Sequence, residues 1–260
     1  MLVFSSCWRC CDTGEIEMIV RLTGGMGNQL FMYAFGRSVA ASIGEPLKFH
    51  WCRSTWDYAL EPFNLPIELG SPDGSEPIYD EAEFAFETSV YGMGRKTYYF
   101  RGYWQSEKYF NVPLIRKDFD WWVNSPLKTQ FLHKGFIHIR RGDYLNRGTK
   151  EFHGLLPLEY YQRAVNYIKE RVPNVTFDVF TDDPDMKEFM GYPVVSSGNQ
   201  HVDLHTMTKY SHAVLANSTF GWFGAWLGEK PGQIVVAPKQ WFADPKIDTN
   251  DLIPSRWIRI

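Results

Sequence analysis

Between positions 18 and 50 the apolar residues change period twice. Met18-Ile19-Val20-Arg21-Leu22 is a near-continuous apolar run, the pattern of a strand covered on both faces. A tight loop follows, Thr23-Gly24-Gly25-Met26-Gly27-Asn28. From Gln29 to Ile43 the apolar positions Leu30, Phe31, Tyr33, Ala34, Phe35, Val39 and Ala40 fall at helical spacing, and Gly44 with Pro46 ends that helix. Leu47-Lys48-Phe49-His50 is a second strand, so the chain opens β-loop-α-β. From Cys52 to about Gly92 the pattern breaks into short apolar pieces among Pro62, Pro66, Pro72 and Pro77, which predicts loops and short helices. Thr97 to Trp104 reads as a strand. Asn111 to Lys134 is polar and proline-interrupted, the expected linker between two halves.

The second half alternates. Phe136, Ile137 and Ile139 form a short strand bounded by Gly135 and Gly142, and Pro157 to Val172 is an amphipathic helix carrying Tyr160, Tyr161, Ala164, Val165, Tyr167 and Ile168. Val175 to Phe180 is a strand, Asp185 to Met190 a short helix, Val194-Val195 a further strand, and Asp203 to His212 a helix. Ala213 to Ala216 is a strand, Thr219 to Leu227 a helix, and Ile234 to Ala237 a strand. Strands alternating with helices imply parallel, doubly covered sheets. The fold class is α/β, with two Rossmann-like halves facing across a cleft. The expected boundaries are 18–125 and 126–260, with 1–17 a flexible extension or an overlong start.

Composition narrows the function classes. The 260 residues can form one large domain or two ordinary ones, and 44% apolar content is ample for a core. Aromatic residues at 17% suit a ring-lined groove as well as packing, and a net charge of −3 argues against a general nucleic-acid binder while leaving room for a local basic site. No apolar run is long enough to span a membrane, and residues 1–17 lack the pattern of a signal peptide. Cys7, Cys10, Cys11 and Cys52 fit neither a zinc site nor a disulfide framework, so a reduced cytoplasmic setting is expected.

The chemistry concentrates at strand ends. His138-Ile139-Arg140-Arg141-Gly142-Asp143-Tyr144 puts two guanidiniums at the carboxyl end of a strand, the edge where open α/β sheets bind ligands. An arginine fork there suits phosphate oxygens, and a salt bridge to Asp143 and its neighbours is the structural alternative. The Gly24–Asn28 loop opens a helix and can offer backbone amides to an anion, or can simply let helix pack on strand. It is not GxGxxG, and His50-Trp51 supplies no ribose-binding acid, which disfavours a nicotinamide dinucleotide. In Asp182-Asp183-Pro184-Asp185, helix capping is preferred to metal binding: Asp183 suits the cap, Pro184 the first turn, and Asp185 the positive helix end. Asn217-Ser218-Thr219-Phe220 opens an aromatic helix whose start is a second anion seat, or a capped core helix. His138 faces the ligand edge or is a hydrogen-bonded structural residue.

Taken in order, five segments resemble the α-1,2-fucosyltransferases of glycosyltransferase family 11: Gly24–Phe31, Gly102–Phe110, His138–Tyr144, Phe180–Asp183 and Ala216–Trp226. The resemblance covers Met18 to Ile260, and the Cys52–Gly92 stretch is short for the family. It implies a GT-B arrangement, with 18–125 on the acceptor side and 126–260 binding GDP-fucose. The implied reaction is inverting transfer of L-fucose from GDP-β-L-fucose to a galactose 2-hydroxyl, in glycan or polysaccharide biosynthesis. No cofactor or metal is implied, and membrane association would be peripheral at most. In the wider fucosyltransferase group Arg140 contacts the donor diphosphate with Arg141 in support, His138 lies near the nucleotide, Asp203 matches an acid that contacts guanine, and Asn28 faces the reacting centre. The Asn217-Ser218-Thr219-Phe220 turn joins the donor site. Asp143 completes the catalytic candidates with Arg140 and Asn28, while Asp143, Glu151 and His153 can all reach the cleft and the base is unassigned.

Overall fold

The computed structural model describes residues 17–53, 55–93, 96–125, 131–145 and 147–260. The extension expected at 1–17, with Cys7, Cys10 and Cys11, lies outside these residues except for Glu17. The first half contains β1 (Met18–Leu22), α1 (Met26–Ile43), β2 (Leu47–Trp51), β3 (Ile78–Asp80), β4 (Tyr98–Arg101) and α2 (Val112–Asn124). Its four strands make a parallel sheet in the order β2-β1-β4-β3. The second half contains β5 (Phe131–Ile139), α3 (Arg147–His153), α4 (Leu158–Lys169), β6 (Thr176–Thr181), a β7–β8 hairpin (Glu188–Phe189, Tyr192–Pro193), α5 (Gln200–Met207), β9 (Tyr210–Val214), α6 (Thr219–Leu227), β10 (Ile234–Ala237) and β11 (Ile258–Arg259). Its parallel sheet runs β11-β10-β9-β5-β6.

Helix α1 is buried almost all round, which explains why its sequence is apolar on every face. Gln29, its fully buried polar residue, has its donors and acceptor satisfied by Gly24 O, Asp57 O and Ala59 N. The helix ends where Gly44 takes φ 73° and its N–H returns to Ala40 O at 2.9 Å. Helix α4 covers one face of the second sheet with Tyr160, Tyr161, Ala164, Val165 and Ile168.

Four expectations need correction. Asn111–Lys134 is largely not a linker, because α2 occupies Val112–Asn124 and buries Ile115, Phe119 and Trp122 at i, i+4, i+7. Pro113 sits in the first turn and Asn111 caps it through Leu114 N, so the proline begins the helix instead of breaking it. Strand β5 starts at Phe131 and runs through Gly135. Asp185–Met190 is no helix: Asp183 Oδ1 accepts from Asp185 N in a local turn, and the hairpin reverses at Met190-Gly191, both at positive φ. Finally, α5 starts at Gln200 because Asn199 accepts from His201 N and Val202 N, and ends at Met207 because Tyr210–Val214 is strand β9 between β5 and β10. Val194 makes a single parallel bridge to Val179.

One apolar cluster runs through both halves. Phe31 of α1 packs against Trp222 and Phe223 of α6 at ring distances of 4.6 and 4.8 Å. The chain's last segment then crosses back to the first half. Phe86 N and Lys108 both donate to Asp251, Arg256 pairs with Glu107 and Glu229, and Trp257 lies 5.2 Å from Trp222.

Candidate active site

Parallel pairing sets the arginine site. Strands β5 and β6 run in register His138↔Phe180 and Ile139↔Thr181, so the next residues, Arg140 and Asp182, emerge side by side at the carboxyl edge. Arg140 Nη1 lies 2.8 Å from Asp182 Oδ2, and Nη2 donates to Asp143 Oδ1 at 2.6 Å. The guanidinium also lies 5.6 Å from the Trp56 ring and 5.5 Å from that of Tyr144. Arg141 diverges: its side chain is exposed, and its backbone N–H donates to Asp182 Oδ1 at 2.7 Å. Asp182 therefore belongs to the arginine site, a role the capping interpretation missed.

The Gly24–Asn28 loop and the Asn217–Phe220 turn meet across the cleft. A Cβ at Gly27 would stand 2.5 Å from Thr219 C and 2.6 Å from Phe220 N, so the starts of α1 and α6 touch only because residue 27 has no side chain. This contact lets Asn28 Oδ1 accept from Thr219 Oγ1 at 3.0 Å, and Gln105 Nε2 donates to the same oxygen at 2.9 Å. Gln105 depends in turn on a strained turn. Trp104 holds φ 55° while buried and stacked 4.0 Å from Phe35, a conformation that costs about 1 kcal/mol or more for a non-glycine residue. Glu81 fixes that turn by accepting from Tyr103 N (2.6 Å) and Trp104 N (2.9 Å). Burial pushes the Glu81 carboxyl up to about 7, against the pull of those two N–H groups.

His138 is buried with Nδ1 unpartnered, its ring 5.6 Å from that of Phe220. Burial lowers it to about 4, and the nearby Asp182 only partly opposes that, so it is a neutral imidazole at neutral pH. Asn217 is a clamp: Nδ2 donates to His153 O and Trp241 O, and its carbonyl accepts from Tyr144 OH at 3.0 Å. Ser218 caps the start of α6 by position alone, without a side-chain bond to the helix. Asp203, in the first turn of α5, accepts from Ser197 N at 2.7 Å.

All of these groups line one cavity of about 850 Å³ between the two halves: Asn28, His138, Arg140, Asp143, Asp203, Asn217, Ser218, Thr219 and Phe220, with Arg141 the exception. Trp56, Tyr103, Gln105 and Asp182 also line it. Gln105 lay within a recognised segment, but its contact with Asn28 depends on a fold that its local pattern does not specify. Trp56 lies in a stretch with no regular period. Among the described residues, no group of three or more His, Cys, Asp or Glu side chains is placed to hold a metal ion. No helix among them is long and apolar enough to cross a membrane.

Two parallel α/β halves sharing an arginine-centred cavity, with helix starts from both sides, make the GT-B fold, one used by glycosyltransferases. The model for glycosyl transferase family 11 matches residues 83–260, and the chain belongs to that family. It is 29% identical to an α-1,2-colitosyltransferase of Escherichia coli, over 94% of this chain and 98% of the relative. It is 37% identical to the O-antigen biosynthesis glycosyltransferase WbnK of Escherichia coli, over 48% of this chain and 43% of that one. In three dimensions it resembles the fucosyltransferase NodZ from Bradyrhizobium, with a TM-score of 0.50 and 14% identity, over 83% of this chain and 94% of NodZ.

Proposed function

We propose that the chain transfers L-fucose from GDP-β-L-fucose to the 2-hydroxyl of a galactose within a glycan, with inversion at the anomeric carbon and without a cofactor or metal. The observation that carries this reading is Arg140, held at the carboxyl edge of the second sheet beside the start of α6, in a cavity walled by both halves. Breaking the bond between fucosyl C1 and the phosphate oxygen leaves added negative charge on GDP. Asp143 and Asp182 orient the fork and occupy only part of its five N–H donors, so the rest can meet the leaving β-phosphate, with α6 amides adding to them. Preorganised charge of this kind contributes on the order of a hundredfold or more in rate. In this reading 126–260 carries the donor, 18–125 the acceptor, and Asn28, fixed by Thr219 and Gln105, faces the reacting centre. His138 and Asp203 border the nucleotide, and Arg141 supports Arg140 through its backbone contact with Asp182. The setting is cytoplasmic, with any membrane contact peripheral.

The test is GDP release from GDP-fucose, with and without lactose, in EDTA, for wild type and Arg140→Ala. Lactose-stimulated release that survives EDTA and drops at least a hundredfold in the variant is expected. GDP-fucose that fails to bind the wild type would refute the donor. The likeness to an α-1,2-colitosyltransferase favours a second reading, in which the same nucleotide carries colitose, the 3-deoxy counterpart of fucose. Competition between the two GDP-sugars decides between them, and turnover of either separates an enzyme from a silent binder.

A further inference from the structure

We propose that His153 is the base that takes the acceptor's proton; the assignment rests on the transfer reaction proposed above. His153 closes α3 and lines the cavity on the Tyr144 side of Arg140. Its carbonyl is tied to Asn217 Nδ2 at 2.8 Å, which fixes the end of α3 to the turn before α6. Its ring stacks on Tyr144 at 4.6 Å and 12°, with Phe152 edge-on at 4.8 Å and Phe242 at 5.8 Å. The imidazole is therefore positioned before any substrate arrives. Nδ1 is sealed from solvent without a partner, so Nε2 is the ring nitrogen available to the cavity.

The other bases of the cavity are engaged elsewhere. Asp143 and Asp182 hold Arg140. Asp183 accepts from Asp185 N and Asp203 from Ser197 N, both on the wall that follows β6. His138 is closed in, with Nδ1 against Gly221. Glu151 pairs with Arg147 on the exposed side of α3 and does not line the cavity. Burial lowers the His153 pKa, and of the charged groups that face it Asp143 raises it while Arg140 lowers it. The rings stacked on it, from Tyr144, Phe152 and Phe242, bring no further charge at neutral pH.

The surroundings suit a sugar. Phe242 lies 4.7 Å from Phe84 and 5.0 Å from Phe152, and all three line the cavity, so an apolar wall stands beside the imidazole for the C–H face of a pyranose. In the step, the acceptor hydroxyl oxygen bonds to fucosyl C1 as the C1–O bond to phosphate breaks. That electron pair leaves on the GDP β-phosphate, and the hydroxyl proton passes to Nε2, which becomes imidazolium and later releases it to solvent. A base of this type contributes typically 10²–10⁴-fold.

The experiment compares wild type with His153→Phe, which keeps the stack on Tyr144 and removes both nitrogens. GDP-fucose affinity is measured by calorimetry, and transfer to lactose is followed across pH 5 to 9. Transfer should fall at least ~100-fold while GDP-fucose Kd changes less than threefold, and the acid limb of the wild-type kcat/KM profile should vanish from the residual activity. Transfer within fivefold of wild type, a persistent acid limb, or donor affinity lost in step with transfer would each overturn the assignment. Wild type that binds no GDP-fucose would overturn the donor reading instead. Wild type that binds it but fucosylates no β-galactoside would overturn the acceptor reading, and His153 as its base.

Discussion

Replacing Gly27 by alanine tests whether the contact between the two helix starts sets the reacting geometry. The new Cβ would lie 2.5 Å from the Thr219 carbonyl carbon, about 0.9 Å short of the 3.4 Å at which ordinary contact begins. The obstacle is backbone, which no rotamer change relieves, so α1 and α6 must separate. Overpacking of this kind costs about 1–3 kcal/mol. The same shift pulls Asn28 Oδ1 away from Thr219 Oγ1, now 3.0 Å apart. A displacement near 1 Å at a reacting centre costs on the order of a hundredfold in rate. Urea unfolding should give the stability loss, and GDP release at saturating donor the rate. Gly27→Ala that stays within about 0.5 kcal/mol of wild type and retains more than half its activity would refute the reasoning, because the helix starts would then not be in contact.

Two further substitutions probe the site from other sides. Gly221→Ala places a Cβ 2.5 Å from His138 Nδ1 and 3.1 Å from His138 Cβ, and because that buried ring has no room to turn, the expected result is a stability loss of about 1–3 kcal/mol with GDP-fucose binding weakened about tenfold, read by urea unfolding and calorimetry. Glu81→Gln tests the buried carboxyl that holds the Tyr103–Trp104 turn. Its folded pKa, raised from 4.5 to about 7, means stability fully present below pH 4.5 and lost as pH rises through 7. Wild type should therefore lose on the order of 2–3 kcal/mol relative to Glu81→Gln between pH 4.5 and 8, and parallel stability curves for the two proteins would sink that account.

Strongly periodic segments were legible from the chain alone: β1, the body of α1, α4 and the whole of α6 follow from apolar spacing and glycine stops. Elsewhere tertiary neighbours override the local signals. Pro113 and the charges around it hid α2, although Ile115, Phe119 and Trp122 already kept a helical face. Asp183-Pro184-Asp185 carries a helix-start pattern, and Met186, Phe189 and Met190 even keep helical spacing, but these side chains reach the second core from a local turn and a short hairpin instead. The arginine motif placed Arg140 at the carboxyl end of a strand, where the structure has it. Asp182 as the partner of Arg140 depends on the register of two parallel strands far apart in sequence, which neither strand encodes alone. Gln105 and Glu81 act through a left-handed tryptophan that no propensity favours, as expected where the surrounding structure imposes a strained backbone.

The ring contact of Phe31 with Trp222 and Phe223, and the return of the last segment to Phe86, Lys108 and Glu107, bear on how this enzyme can diversify. Under the proposed function, donor and acceptor preferences sit on different halves, which invites exchange of one half between relatives to create new sugar linkages. Such a hybrid would inherit an α1 fitted to one α6 and a carboxyl-terminal strap fitted to one first half. A working exchange must carry α1, α6 and residues 244–260 as a matched set. New specificities therefore arise most readily by substitution along the cavity walls, where side chains can change without disturbing that shared interior.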